Sequence, residues 1–279
     1  LSFTNASASE MSQRIHAETG CLIAASTFHK LGLHIIAQTD GIVPKITQLN
    51  LRRFIKKQLL LNMQMEAYLR LLNSYLLYNR VAAKSEFEFK SLQEYEDYIK
   101  LNPPTTIHNE TVKSYGEMDI ANFLAENGIR YIYEQPYEID TRTSEYGQYY
   151  PDFYLPEHNI YVEYFGINRK GEVPPYFKGS NGRTAAESYR ISMEWKRRTH
   201  SEHQTVMIEC YAYEKLEGNL LDNLSDKLKA ASVPLTPKAP KELWAQVSAE
   251  NDSLLSGIAE LFETVINLIK SSGYDMEAL

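Results

Sequence analysis

Tyr149-Tyr150-Pro151-Asp152-Phe153-Tyr154-Leu155-Pro156-Glu157-His158-Asn159-Ile160-Tyr161-Val162-Glu163-Tyr164-Phe165-Gly166 reads as two strands joined by a turn at Pro156–Asn159. Aromatic and β-branched residues fill both arms, and the turn residues between them are those that break a strand. If Leu155 pairs with Ile160, the register sets Asp152 directly opposite Glu163, where side chains stand about 4.5–5.5 Å apart at Cβ. Like charges so placed repel one another. A hairpin with one polar face is the plainer explanation of such a pair. A divalent cation is the chemical one: Mg²⁺ takes hard oxygen ligands, typically one or two carboxylates with waters and a substrate phosphate, and can activate water toward a phosphodiester.

The surroundings favour the cation. Upstream, Tyr115–Asn127 has the spacing of an amphipathic helix with Ile120, Phe123 and Leu124 inward, Glu117 in its first turn and Gly128 as its stop. Strands are expected at Tyr131–Glu134, Tyr149–Leu155, Ile160–Phe165 and Thr205–Cys210. The loop 168–183 is rich in Gly, Pro and basic residues, and a helix is expected from Thr184 to His200. This α-β-β-β-α-β order predicts an α/β domain with a mixed sheet flanked by helices. The segment 169–198 carries Arg169, Lys170, Lys178, Arg183, Arg190, Lys196, Arg197 and Arg198 against few acids, which predicts a basic rim beside the acidic pair and salt-sensitive binding of DNA.

Gly116-Glu117, Pro151-Asp152-Phe153 and Glu163-Tyr164-Phe165 together resemble the PD-(D/E)XK, or restriction-endonuclease-like, nuclease superfamily over roughly residues 111–215. The resemblance implies Mg²⁺-dependent, or Mn²⁺-dependent, hydrolysis of DNA, with Glu117, Asp152 and Glu163 as the acidic metal site. One departure stands out: Phe165 occupies the position where the family places lysine. Some branches of the superfamily move that lysine to the following helix, where Lys196 is the candidate here. Its role would be to orient the attacking water and offset transition-state charge. Without a lysine in reach, the domain would instead be a degenerate nuclease-like module that binds DNA.

The first thirty residues carry a second resemblance. Leu1-Ser2-Phe3-Thr4-Asn5-Ala6-Ser7-Ala8-Ser9-Glu10-Met11, with Arg14-Ile15, and then Ser26-Thr27-Phe28-His29-Lys30-Leu31-Gly32, are similar to motif Ia and the following Thr-Phe-His motif of superfamily 1 helicases of the UvrD/Rep kind. Helicase-IV-like proteins are similar around Lys113-Ser114-Tyr115-Gly116-Glu117 and Tyr133-Glu134. The resemblance implies that Thr4, Asn5, Thr27 and His29 contact single-stranded DNA. No Gly-x-x-x-x-Gly-Lys-Ser/Thr phosphate loop is present, so ATP binding is expected only in a longer parent protein. Residues 1–3 read as the end of a buried strand and 21–28 as a second strand, and so abrupt a strand at Leu1 suggests a piece of a longer chain. Residues 1–110 are then expected to be partial helicase core and helical accessory region, 111–215 the nuclease, and 216–279 a linker and a C-terminal helix returning to the helicase. Residues 50–100 have helical spacing, residues 232–241 are proline-rich, and 254–271 form an amphipathic helix.

The composition is that of a globular chain: 279 residues, 43% hydrophobic and 23% charged, with a net charge of -7. No apolar run is long enough to span a bilayer and no signal peptide is visible. Two cysteines offer no disulfide framework or zinc spacing, so a cytoplasmic setting is expected. A purely structural accessory domain, with its carboxylates at the surface by accident, is the third reading.

Overall fold

The computed structural model describes residues 1–45, 49–79, 84–249 and 253–272. They form two compact units, Leu1–Phe54 and Ile55–Leu279. The first holds α1 (Asn5–Thr19) and α2 (Phe28–Asp40), each ended by a glycine in the left-handed region, Gly20 and Gly41. The strands expected at residues 1–3 and 21–28 reduce to a single bridge between Ser2 and Thr27. A lone segment has no neighbours to complete a ladder, and Leu22 is left exposed. Helix α3 (Leu51–Asn62) crosses the division between the units.

The expected helical stretch at 50–100 is interrupted. It continues as α4 (Glu66–Ser74), a π turn at Tyr75–Asn79, a 3₁₀ turn at Glu86–Glu88 and α5 (Leu92–Leu101); residues 80–83 lie outside the described residues. Ser91 caps α5 and Ser114 caps α6 (Tyr115–Glu126), each accepting a backbone N–H with its hydroxyl.

Next comes the α/β layer. Strands β1 (Ile132–Tyr133), β2 (Phe153–Leu155), β3 (Ile160–Phe165) and β4 (Val206–Tyr211) form one mixed sheet in that order. The first two pairings are antiparallel and β3–β4 is parallel, with α7 (Ala185–Glu202) as the crossover. Strand β2 is shorter than its expected span because Pro151 has no N–H for the ladder. The chain stays beside its neighbour all the same, through Glu134 N–H to Asp152 O at 3.0 Å and Tyr137 N–H to Tyr149 O at 2.8 Å. Short α8 (Ala212–Leu216) and α9 (Leu220–Ala230) follow, then α10 (Pro240–Ser248) and α11 (Leu254–Ser272).

Strand alternation decides what each face meets. Phe153, Leu155, Ile160, Val162, Ile208 and Cys210 pack with Ile120 and Leu124 of α6 and Leu220, Leu224 and Leu228 of α9. That core therefore draws on residues beyond 215. The opposite face carries Tyr161, Glu163 and Phe165 and meets Met193 and Trp195 of α7. Gly116 lets α6 sit close to the sheet: a Cβ there would lie 2.0 Å from Cζ of the buried Tyr164. Gly116→Ala is expected to destabilise the protein by roughly 1–3 kcal/mol through overpacking, only partly offset by alanine's better helix propensity, about 1 kcal/mol. Equilibrium urea unfolding measures it; a variant as stable as wild type would show that Tyr164 can yield without cost.

Candidate functional site

The hairpin register is the one expected. Leu155 faces Ile160 and Phe153 faces Val162, so the next step of the same register brings Asp152 opposite Glu163. Glu163 is completely buried. Its Oε1 accepts from the Tyr149 hydroxyl at 2.5 Å and its Oε2 from Lys196 Nζ at 2.5 Å. The ammonium also lies 5.4 Å from the Phe165 ring centroid. Lys196 of α7 thus reaches Glu163 across the ring that stands where the family pattern places lysine.

Asp152 is half-buried, and its Oδ2 accepts the Tyr164 backbone N–H at 2.7 Å. Its Oδ1 has no protein donor among the described residues. Glu117 is buried in the first turn of α6. Its Oε2 accepts from the Tyr133 hydroxyl at 2.6 Å and from the Lys113 N–H at 3.1 Å, and its Oε1 from Ser114 Oγ at 3.0 Å. Burial, and then the charge of Asp152, push both Glu117 and Glu163 up to about 8. Asp152 itself is raised by burial, against the pull of Lys196 and Lys113. The three acids therefore form one electrostatic group with Asp152 common to both glutamates.

These features fit a hard divalent cation. The donors are carboxylate oxygens, one of them free of hydrogen bonds, and the charge they share is what such an ion offsets. Among the described residues no three His, Cys, Asp or Glu side chains stand together as a preformed ligand set. Glu134 adds another acid at the edge of the group: it acts on Asp152 electrostatically, pairs with Lys113 and holds a positive φ of 46°. A non-glycine residue in that region costs free energy, and such residues cluster at functional sites.

Compared with known proteins, the chain has no significant match among family models, curated proteins or solved structures.

The expected basic rim is half neutralised by ion pairs, some within α7 and some with distant elements. Arg169 pairs with Glu217 at 2.6 Å and lies over the Tyr213 ring. Arg197 pairs with Glu209 and Glu194, and Arg198 with Glu202 at 3.7 Å. Lys170, Lys178, Arg183 and Arg190 remain exposed without an ion pair among the described residues. In the Leu1–Phe54 unit, Thr4 caps α1 and Thr27 caps α2; Asn5 and His29 are exposed beside them. The Ser2–Thr27 bridge and the Phe3–Phe28 ring contact at 5.3 Å bring these two helix starts together.

Sequence reasoning gave no role to Tyr149, Tyr133 or His200. Their signals were positional: Tyr149 lies three residues before Asp152, Tyr133 precedes Glu134, and His200 stands one helical turn after Lys196.

The raised glutamates set a stability prediction with a definite sign. A carboxyl raised from 4.5 to about 8 keeps its proton in the folded state after the unfolded state has lost it. Stability of the metal-free protein therefore falls as pH rises through that interval. His200, lowered to about 4 by burial and by Lys196, acts in the opposite sense, but only below its ordinary 6.5. Between about 7, the value to which burial raises Glu86, and about 8 these two acids act alone, so melting temperature in EDTA should fall across that window. Saturating Mn²⁺ should remove the fall, because the cation replaces the protons. A flat EDTA profile would remove the electrostatic coupling described here.

Proposed function

We propose that Glu117, Asp152, Glu163 and Lys196 form the centre of a metal-dependent DNA nuclease of the restriction-endonuclease-like kind, carried within a superfamily 1 helicase. The observation that supports it most is the reach of Lys196 from α7 to Glu163, beside an Asp152 that acts on both glutamates. Strands β2 and β3 would supply Asp152 and Glu163, α6 would supply Glu117, and a Mg²⁺ or Mn²⁺ ion held there would activate water and offset phosphate charge. Lys196 would orient the attacking water and offset transition-state charge. Lys170, Lys178, Arg183 and Arg190 are the cations available for DNA phosphates, and Thr4, Asn5, Thr27 and His29 would hold single-stranded DNA. ATP chemistry would belong to other parts of a longer protein. Among the described residues no helix is long and apolar enough to cross a membrane.

A second reading is supported by a specific feature. Lys196 is already engaged by Glu163, and no three-ligand group is preformed. A module that binds DNA without cutting it would look the same. Incubating the chain with single- and double-stranded DNA in Mg²⁺ or Mn²⁺, together with anomalous scattering from Mn²⁺-soaked crystals, separates the two. Bound Mn²⁺ with cleavage supports the nuclease, bound Mn²⁺ without cleavage the binding module, and no Mn²⁺ at Asp152–Glu163 ends both metal readings.

A further inference from the structure

At Glu163 Oε1, the carboxylate oxygen that Lys196 does not engage, the sheet and α7 enclose a line of polar groups. The Tyr149 hydroxyl lies 2.5 Å from Glu163 Oε1 and 3.2 Å from His200 Nε2. His200 Nδ1 lies 2.7 Å from Thr205 Oγ1, which lies 2.6 Å from the Tyr137 hydroxyl. Glu163, Tyr149, His200 and Tyr137 are all buried, and Thr205 is half-buried. Buried polar groups are costly unless each is satisfied, and this line satisfies all of them if its hydrogens run one way. In the carboxylate form that pairs with Lys196 and would hold a cation, Glu163 can only accept, so the single hydrogen of Tyr149 goes to Oε1. His200 Nε2 must then donate to the Tyr149 oxygen, which leaves Nδ1 as an acceptor for the Thr205 hydrogen. Tyr137 in turn donates to Thr205. Each link uses one hydrogen and none is left over. The imidazole this requires is neutral, in keeping with the downward shift that burial imposes on His200.

The placement on α7 matters. Lys196 and His200 are four residues apart and share a face. One meets Glu163 directly at Oε2, and the other meets it through Tyr149 at Oε1. We propose that Tyr149 and His200 are positioning residues, holding Glu163 Oε1 so that Oε2 stays turned toward Lys196 and an incoming cation. Groups of this kind, which orient a ligand without touching the metal, change affinity or activity by about 10–100-fold when removed. The functional part of the assignment rests on the metal-centre reading; the hydrogen-bond line does not.

The test has two arms. In the first, long-range ¹H–¹⁵N NMR of the histidine-labelled chain is recorded metal-free at pH 9. His200 is assigned among the seven histidines by the loss of its signals in His200→Gln. The expected result is the Nε2–H tautomer with a slowly exchanging ring proton; the Nδ1–H tautomer, or a charged ring, overturns the proposal. In the second arm, Mn²⁺ affinity and cleavage are measured for Tyr149→Phe, His200→Leu and His200→Gln. Tyr149→Phe and His200→Leu should lose about 10–100-fold in Mn²⁺ affinity or kcat with little change in KM for DNA. His200→Gln should recover most of that loss, because its amide N–H can stand in for Nε2–H. Equal behaviour of the Gln and Leu variants would mean that His200 only fills space, and would overturn the proposal even if the nuclease reading holds. A wild-type chain that neither binds Mn²⁺ nor cuts DNA ends the nuclease reading and the positioning role with it, whatever tautomer His200 shows.

Discussion

Asp152→Asn is expected to lower metal-dependent DNA cleavage on the order of 10³-fold while leaving the fold intact. The amide has the shape of the carboxylate, and its oxygen can still accept the Tyr164 N–H that now meets Oδ2 at 2.7 Å. What is lost is one negative charge, at the position electrostatically common to Glu117 and Glu163. A hard cation is held by such charge, so Mn²⁺ affinity measured by calorimetry should fall together with cleavage. The metal-free protein should respond in the opposite direction. Removing Asp152's charge relieves the second-largest cause of the rise in both glutamates, so thermal melts in EDTA should show stability level or slightly higher. Weaker metal binding with an undamaged apoprotein is a combination that general destabilisation cannot produce. If Asp152→Asn cuts DNA as fast as wild type, the hairpin is not the active centre.

How much of this could be read from the sequence differs from element to element. The register of the β2–β3 hairpin was legible, though not the length of β2, because alternation and a turn at Pro156–Asn159 admit one register that buries Val162 and Phe153 together. Strand β3 and the capping of α6 by Ser114 and α7 by Thr184 follow from local chemistry and agree with it. Residues 21–28 did not follow: their apolar, β-branched character suits a strand, but a strand exists only where a neighbour completes its hydrogen bonds. The site divides in the same way. Asp152 and Glu163 are brought together by register, which is local. Lys196 was reached only through the resemblance, while the links from Tyr149 to His200 and Tyr133 to Glu117 span 51 and 16 residues, and only the packing of α6 and α7 on the sheet reveals them. The basic segment misled for a related reason. A run of cations in sequence says nothing of Glu209 and Glu217, which arrive from later elements and engage Arg197 and Arg169.

Lys196→Ala should separate chemistry from metal binding. Cleavage should drop by about 10²-fold, the scale of losing one preorganised donor beside developing charge. Metal affinity should behave differently on the two sides of pH 8, and the ion pair with Glu163 is the reason. Lys196 both lowers the proton affinity of Glu163 and places a positive charge where a cation would sit nearby. Near neutral pH its removal lets Glu163 hold its proton more firmly, so protons compete better with Mn²⁺ and apparent affinity falls. Above the range in which Glu163 titrates, that competition ends and only the loss of cation–cation repulsion remains, so affinity should equal or exceed that of wild type. Cleavage should stay low on both sides, because lysine is not a ligand for a hard cation and its catalytic task is not supplied by added metal. Mn²⁺ titrations at pH 7 and pH 9 with parallel single-turnover assays give all four values. Full cleavage at saturating Mn²⁺ and high pH would show that Lys196 only adjusts Glu163, and the task of orienting the attacking water would have to pass to another group.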